Sequence, residues 1–252
     1  MLNMAGVDWL IIGIAALIIG ISKTGIPGIG ILAIPLVAWV IPAKASTGVI
    51  LPMLIVGDIF AVMYYKRHAV WPHLFRLIPW AMAGIVLGSL VMNKITDRQL
   101  RPIIGLIVLT MLILNYWRNS RQKGEITVPT QWWFAAIIGL TAGVTTMLAN
   151  AAGPIMAIYL LAMQLPKNEF LGTGAWYYLL MNCFKVPFSA NLGLINSQSL
   201  FLNMVNLPLI MVGALSGVRL VKIIPEKTFG LIIQVLAAAA AIKLIFEFFS
   251  HP

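Results

Sequence analysis

The chain has 252 residues, of which 61% are hydrophobic and 10% are charged. Soluble domains contain roughly 45–50% apolar residues, so this composition excludes a soluble globular fold and indicates a chain that lies in lipid. The net charge of +10 is typical of basic loops facing anionic lipid and requires no nucleic-acid partner, while the single Cys183 excludes an internal disulfide.

Breakers and charged residues divide the chain into ten apolar stretches, which predict an all-α, polytopic membrane protein. They are 7–21, 29–41, 47–65, 74–92 and 101–117 in the first half, and 132–148, 151–164, 170–188, 200–220 and 228–249 in the second. The last three stretches of each half approach the ~20 residues that a helix needs to cross a bilayer. The first two are shorter, and they either cross fully or are broken, re-entrant helices near the midplane.

The two halves of the chain resemble each other at a nearly constant spacing. Thr47-Gly48 recurs as Thr173-Gly174, 126 positions later, and Pro79, Gly84 and Gly88 recur as Pro208, Gly213 and Gly217, 129 positions later. Such a duplication in a membrane chain is typical of transporters whose site lies where the repeats meet. We therefore predict one transmembrane domain, residues 1–252, made of two five-segment repeats at 1–120 and 132–252, joined by a polar linker at 118–131.

Basic residues predict the orientation of the repeats. Three groups fall on one side of the membrane by simple alternation, and the positive-inside rule makes that side cytoplasmic: Lys66, Arg67 and Arg76; Arg118, Arg121 and Lys123; Arg219, Lys222 and Lys227. Lys94, Arg98 and Arg101 are the exception to this rule, since simple alternation places them on the outer side. The turn after 47–65 then lies inside and its counterpart after 170–188 lies outside, so the repeats are predicted to be inverted.

Small and polar residues separate the two short stretches of each half, at 22–30 and at 149–154. A helix that restarts after such a break directs free N–H groups and a positive dipole end at the break, which favours an anion. An inverted repeat would bring both restarts together. The alternatives are tight helix packing for the glycines and, for Lys23, an ammonium that reaches the interface. The candidate substrate-binding residues here are Ser22, Lys23, Thr24, Gly28, Gly30, Thr146, Asn150, Ala151 and Gly153.

Two charged residues, Asp58 and Lys185, fall inside long stretches, where an unpaired charge is costly. They are 127 positions apart and so nearly equivalent in the two repeats, which predicts an ion pair or a proton-coupling element. The alternatives are an interface position for Lys185 and hydrogen bonds from neighbouring hydroxyls for Asp58. Asn182 lies one turn before Lys185 on nearly the same face, so both join the candidate substrate-binding residues.

Several of these segments resemble the TauE/SafE sulfite exporter family. They are the glycine-rich segment Gly25–Pro35, the Ala-Gly-Pro of 152–154 and the Asn182-x-x-Lys185 pair. The resemblance covers nearly the whole chain. It implies a bacterial inner-membrane carrier for small anions, such as sulfite, sulfonates or related organic acids, and it leaves the substrate and the direction open.

The predicted function is secondary transport of a small anion by alternating access. The chain has no G-x-x-x-x-G-K-[ST] motif, so coupling would come from H⁺, Na⁺ or the membrane potential. An anion channel of the same architecture is the alternative. An enzyme is not expected, since H-E-x-x-H and G-x-S-x-G are absent from the sequence. We predict no cofactor and no metal; the partners are a small anion and the bilayer, and a homo-oligomer stays open.

Overall fold

The computed structural model describes residues 6–25, 29–121 and 132–220, and a few residues between 235 and 246. These residues are almost entirely helical and contain no strand, which confirms the all-α prediction. Gly28, most of the linker 118–131 and most of the stretch 228–249 lie outside the described residues.

The described ranges form nine α-helices and two short 3₁₀ helices, Ile29–Leu32 and Lys66–His68. The α-helices are α1 (Gly6–Thr24), α2 (Ala33–Val40), α3 (Ala43–Tyr65), α4 (Trp71–Lys94), α5 (Asp97–Arg121), α6 (Trp132–Ala149), α7 (Gly153–Ala162), α8 (Lys167–Asn191) and α9 (Ser197–Leu220). Each predicted apolar stretch up to residue 220 corresponds to one of these helices.

Five of the helices, α1, α3, α4, α6 and α9, are long and apolar enough to cross a membrane. The chain is therefore a multi-pass membrane protein. The first helix of each half is shorter than the later long helices, as predicted, since α1 has 19 residues and α6 has 18; both are nevertheless long enough to cross. By contrast, α2 and α7 have 8 and 10 residues, well below the ~20 that a crossing needs.

Glycines bring two pairs of helices into close contact. Along α4 and α6, a methyl group at Gly84 would meet the carbonyl of Leu140, and one at Gly143 would meet that of Ala81. Along α1 and α9, a methyl group at Gly213 would meet the carbonyl of Leu17. Only glycine permits backbones to approach this closely. These glycines therefore serve helix packing, and each pair joins the first helix of one half to the fourth helix of the other.

The start of α3 is held by a carboxylate from another helix. Asp97, in the first turn of α5, accepts hydrogen bonds from the backbone N–H groups of Lys44 (2.8 Å) and Ala43 (3.1 Å). The first N–H groups of a helix have no partner within the helix, so Asp97 supplies the acceptors that α3 lacks.

We expect Asp97→Ala to lower the free energy of unfolding by about 1–2 kcal/mol, the usual cost of losing such a cap. Thermal unfolding of the detergent-solubilised protein would measure it as a lower Tm. Asp97→Asn keeps one side-chain acceptor and should lose less. An unchanged Tm for Asp97→Ala would show that water replaces the carboxylate at no cost.

Candidate functional site

A single cavity of about 130 Å³ brings the two helix breaks together. Ser22, Lys23 and Gly30 line it from the first break, and Asn150 and Gly153 line it from the second. Helices α3 and α8 complete the wall between them. Residues 22, 23 and 30 of the first break and residues 150–154 of the second, which are far apart in sequence, therefore line one cavity.

The first break begins later than the sequence predicts, because α1 continues to Thr24. The Ser22 hydroxyl donates to Ile19 O at 2.8 Å, and the Thr24 hydroxyl donates to Ala214 O of α9 at 2.6 Å. Thr24 thus contacts α9 and does not line the cavity. After the break, the chain makes a 3₁₀ turn at Ile29–Leu32 before α2 begins at Ala33, so the α-helical restart expected at residues 27–30 lies a few residues further on.

The second break matches its prediction closely. Helix α6 ends at Ala149 and α7 begins at Gly153. Between them Asn150 has φ 54°, a left-handed conformation that asparagine adopts more readily than most residues. A methyl group at Gly153 would meet nothing within 4 Å, so space is open beside the start of α7. The first N–H groups of α7 have no hydrogen-bond partner within the helix. Pro154 lies in this first turn, where its missing N–H costs the helix no hydrogen bond.

Asp58 is completely buried between a cation and an amide. Lys23 Nζ lies 2.7 Å from its Oδ1, and Asn182 Nδ2 donates to its Oδ2 at 2.6 Å. The Lys23 ammonium also lies 4.5 Å from the centre of the Tyr178 ring. The predicted direct pair of Asp58 with Lys185 was wrong, as was the alternative of neighbouring hydroxyls, because the last turn of α1 places Lys23 against the carboxylate.

Lys185 is only 1% exposed, so it is not an interface lysine. Its Nζ donates to Thr146 O at 3.0 Å, to Thr146 Oγ1 at 3.1 Å and to Asn150 Oδ1 at 2.6 Å. The amide of Asn150 is itself oriented, since its Nδ2 donates to Thr47 O at 3.2 Å. Three acceptors around Nζ match the three N–H donors of an ammonium.

Most of the predicted site residues line the cavity. Thr24 does not, Lys185 lies behind Thr146 and Asn150, and Gly28 is outside the described residues. The lining residues that were predicted are Ser22, Lys23, Gly30, Asp58, Thr146, Asn150, Ala151, Gly153 and Asn182. No group of three His, Cys, Asp or Glu side chains that could hold a metal occurs among the described residues.

Sequence reasoning missed the apolar and aromatic part of the wall. Leu54 on α3 and Tyr178 on α8 each lie four residues before a predicted polar residue, Asp58 and Asn182 respectively. Residues four apart share a helix face, so this spacing could have identified both. The cavity is therefore polar around Lys23, Asp58 and Asn150 and apolar elsewhere.

The fold and the cavity define a class: a multi-pass membrane protein with buried charged side chains around a small cavity between two helix breaks. The family model described as sulfite exporter TauE/SafE matches residues 12–244, so the chain belongs to that family. The match confirms the resemblance seen in the sequence and indicates a membrane exporter of sulfite or related sulfur anions. No curated protein and no solved structure gave a significant match.

Proposed function

We propose that this protein is a secondary transporter that carries a small anion across the bacterial inner membrane by alternating access. The observation that carries the proposal is the cavity, where residues of both helix breaks lie beside Lys23 and the buried Lys185 lies behind Thr146 and Asn150. The membership of the sulfite exporter family supports sulfite, sulfonates or related anions as the substrate. In the site, the side chains of Ser22, Thr146 and Asn150 and the first N–H groups of α7 would donate to the anion.

We also propose that the domain consists of the two inverted repeats, 1–120 and 132–252. Exchanging the repeats would map α1 on α6, α3 on α8 and α4 on α9. The contact of α1 with α9 would then become the contact of α6 with α4, and α3 would still face α8. These are the main long-range helix contacts of the described residues, which supports the proposal. In alternating access, the pairs α1–α9 and α4–α6 would move as units about α3 and α8.

Coupling to protons is the third part of the proposal. Lys23 is 13% exposed and lines the cavity, whereas Asp58 has no exposed surface. An anion in the cavity would compete with Asp58 for Lys23. The carboxylate would then be left with Asn182 as its remaining donor, in an environment where an unbalanced charge is costly. Uptake of a proton by Asp58 would balance it, and would link the movement of the anion to the movement of the proton.

The transport reaction can be tested in proteoliposomes with labelled sulfite. We expect saturable uptake that is accelerated by unlabelled sulfite inside the vesicles, because a carrier exchanges its substrate. Sulfonates should compete at least about tenfold better than amines of similar size, since the cavity is cationic and carries helix N–H donors. Competition by amines would contradict an anion site, and large unitary currents would show the channel instead.

A further inference from the structure

Two buried residues, Asp58 and Lys185, and two half-buried residues, Lys23 and Asn150, form two pairs that are equivalent in the two halves of the chain. Lys23 and Asn150 are 127 positions apart, and so are Asp58 and Lys185. In the first half, Lys23 Nζ contacts Asp58 Oδ1 at 2.7 Å. In the second, Lys185 Nζ donates to Asn150 Oδ1 at 2.6 Å. Each half thus has a contact between the end of its first helix and its third helix. The lysine lies at the end of the first helix in the first half and on the third helix in the second half.

The exchange leaves the two pairs with different charges. The pair in the first half joins a cation to an anion, so its net charge is zero while Asp58 is ionised. The pair in the second half joins Lys185 to a neutral amide. No carboxylate among the described residues forms an ion pair with Lys185, and its three partners are acceptors that suit an ammonium. Among the described residues, the site therefore has a net charge of about +1.

That charge is within reach of the cavity. Lys185 does not line the cavity itself, but Thr146 and Asn150, whose oxygens accept its hydrogen bonds, both do. An anion there would be separated from the Lys185 ammonium by a single side chain. Charges interact strongly in a site of low dielectric constant, and a charge that is not balanced there is costly. The net charge of the bound ion should therefore decide whether it binds.

We infer that the site selects singly charged anions, such as a sulfonate or bisulfite, over doubly charged anions such as sulfate. While Asp58 is ionised, a monoanion balances the charge of the site, whereas a dianion is balanced only once Asp58 has also taken up a proton. Asp58 and Lys185 then determine specificity through their charges. This inference rests on the proposed anion transport and adds the charge of the substrate to it.

A series of variants with different site charges tests the inference in the detergent-purified full chain. The probes are methanesulfonate and sulfate, which have nearly the same size and differ by one charge, with ethanesulfonate and thiosulfate as a second set. Binding is measured by calorimetry at one fixed pH. We expect the wild type to bind methanesulfonate at least about tenfold more tightly than sulfate.

Two variants change the charge in opposite directions. Asp58→Asn makes the site about +2 and should move the preference towards sulfate by at least about tenfold. Asn150→Asp makes it neutral and should weaken binding of both anions by at least about tenfold. Asn168→Asp is the matched control, since it adds the same charge at an exposed position in the first turn of α8 and should bind as the wild type does.

The outcomes separate this inference from the proposed function. Equal binding of sulfate and methanesulfonate by the wild type, or an unchanged preference in Asp58→Asn, would overturn the selection by charge while leaving anion transport in place. Failure of the wild type to bind any of the four anions would overturn the proposed function itself. The Asp58→Asn result is a ratio measured within one variant, so it decides the question even if Asn150→Asp does not fold.

Discussion

Lys185→Ala should abolish anion transport and leave membrane insertion intact. The change removes the one buried cation that has no carboxylate partner among the described residues, and the positive charge of the site with it. It also removes the donor to Thr146 Oγ1 and Asn150 Oδ1, both of which line the cavity. We expect uptake into proteoliposomes to fall at least about 100-fold, because unpaired polar groups and a lost charge act together.

The readouts separate a loss of function from a loss of fold. The variant should appear in the membrane fraction and run as the wild type does on size exclusion, although its Tm should fall, since leaving buried acceptors unpaired costs about 1–3 kcal/mol. Lys185→Arg keeps the charge and should retain part of the activity. Lys94→Ala, at the exposed end of α4, is the matched control and should transport normally. Wild-type transport by Lys185→Ala would restrict Lys185 to a structural role.

The helices could be predicted from the sequence because lipid imposes a simple rule. A stretch of about 20 apolar residues in lipid forms its backbone hydrogen bonds within itself by becoming a helix. No tertiary contact is needed for this outcome. The stretches 47–65 and 200–220 became α3 and α9 for this reason. The second break could also be predicted locally, since asparagine adopts the left-handed conformation of Asn150 more readily than most residues do.

The end of α1 could not be predicted in this way. Ser22 and Thr24 are usually found at helix ends, yet here the Thr24 hydroxyl donates to Ala214, which is 190 positions away. That contact exists only after Gly213 and Gly217 have let α9 approach α1. A tertiary contact thus extended the helix beyond the residue where its local sequence suggested an end.

The partner of Asp58 was missed for a related reason. The repeat pointed to Lys185, because repeats place equivalent residues near each other, and Lys23 was assigned to the anion instead. The structure depends on Gly57, where a side chain's Cβ would lie 2.8 Å from Lys23 Cγ. The absence of that side chain lets the stem of Lys23 pass along α3 to the carboxylate. The spacing that makes Lys23 equivalent to Asn150 is visible in the sequence. Its role is clear only from the contacts Lys23–Asp58 and Lys185–Asn150 in the structure.

Asp58→Asn should remove the dependence of transport on the pH gradient. In the wild type, a gradient of one pH unit should drive up to about tenfold accumulation of the anion for each coupled proton, since one unit corresponds to about 1.4 kcal/mol. An asparagine cannot exchange a proton, so the variant should equilibrate its substrate without accumulating it. Lys23 on α1 and Lys185 and Cys183 on α8 are the other titratable groups that interact with this position, and all three remain in the variant.

The measurement is the steady-state accumulation of labelled sulfite in proteoliposomes, with and without an imposed pH gradient, at equal protein incorporation. Asp97→Asn removes a carboxylate at the start of α5, outside the cavity, and should accumulate sulfite as the wild type does. Accumulation by Asp58→Asn that still follows the gradient would exclude Asp58 as the coupling group. A wild type that responds only to a Na⁺ gradient or to the membrane potential would exclude proton coupling. Loss of accumulation in Asp58→Asn alone, with exchange retained, would identify the buried carboxylate of Asp58 as the group that carries the proton.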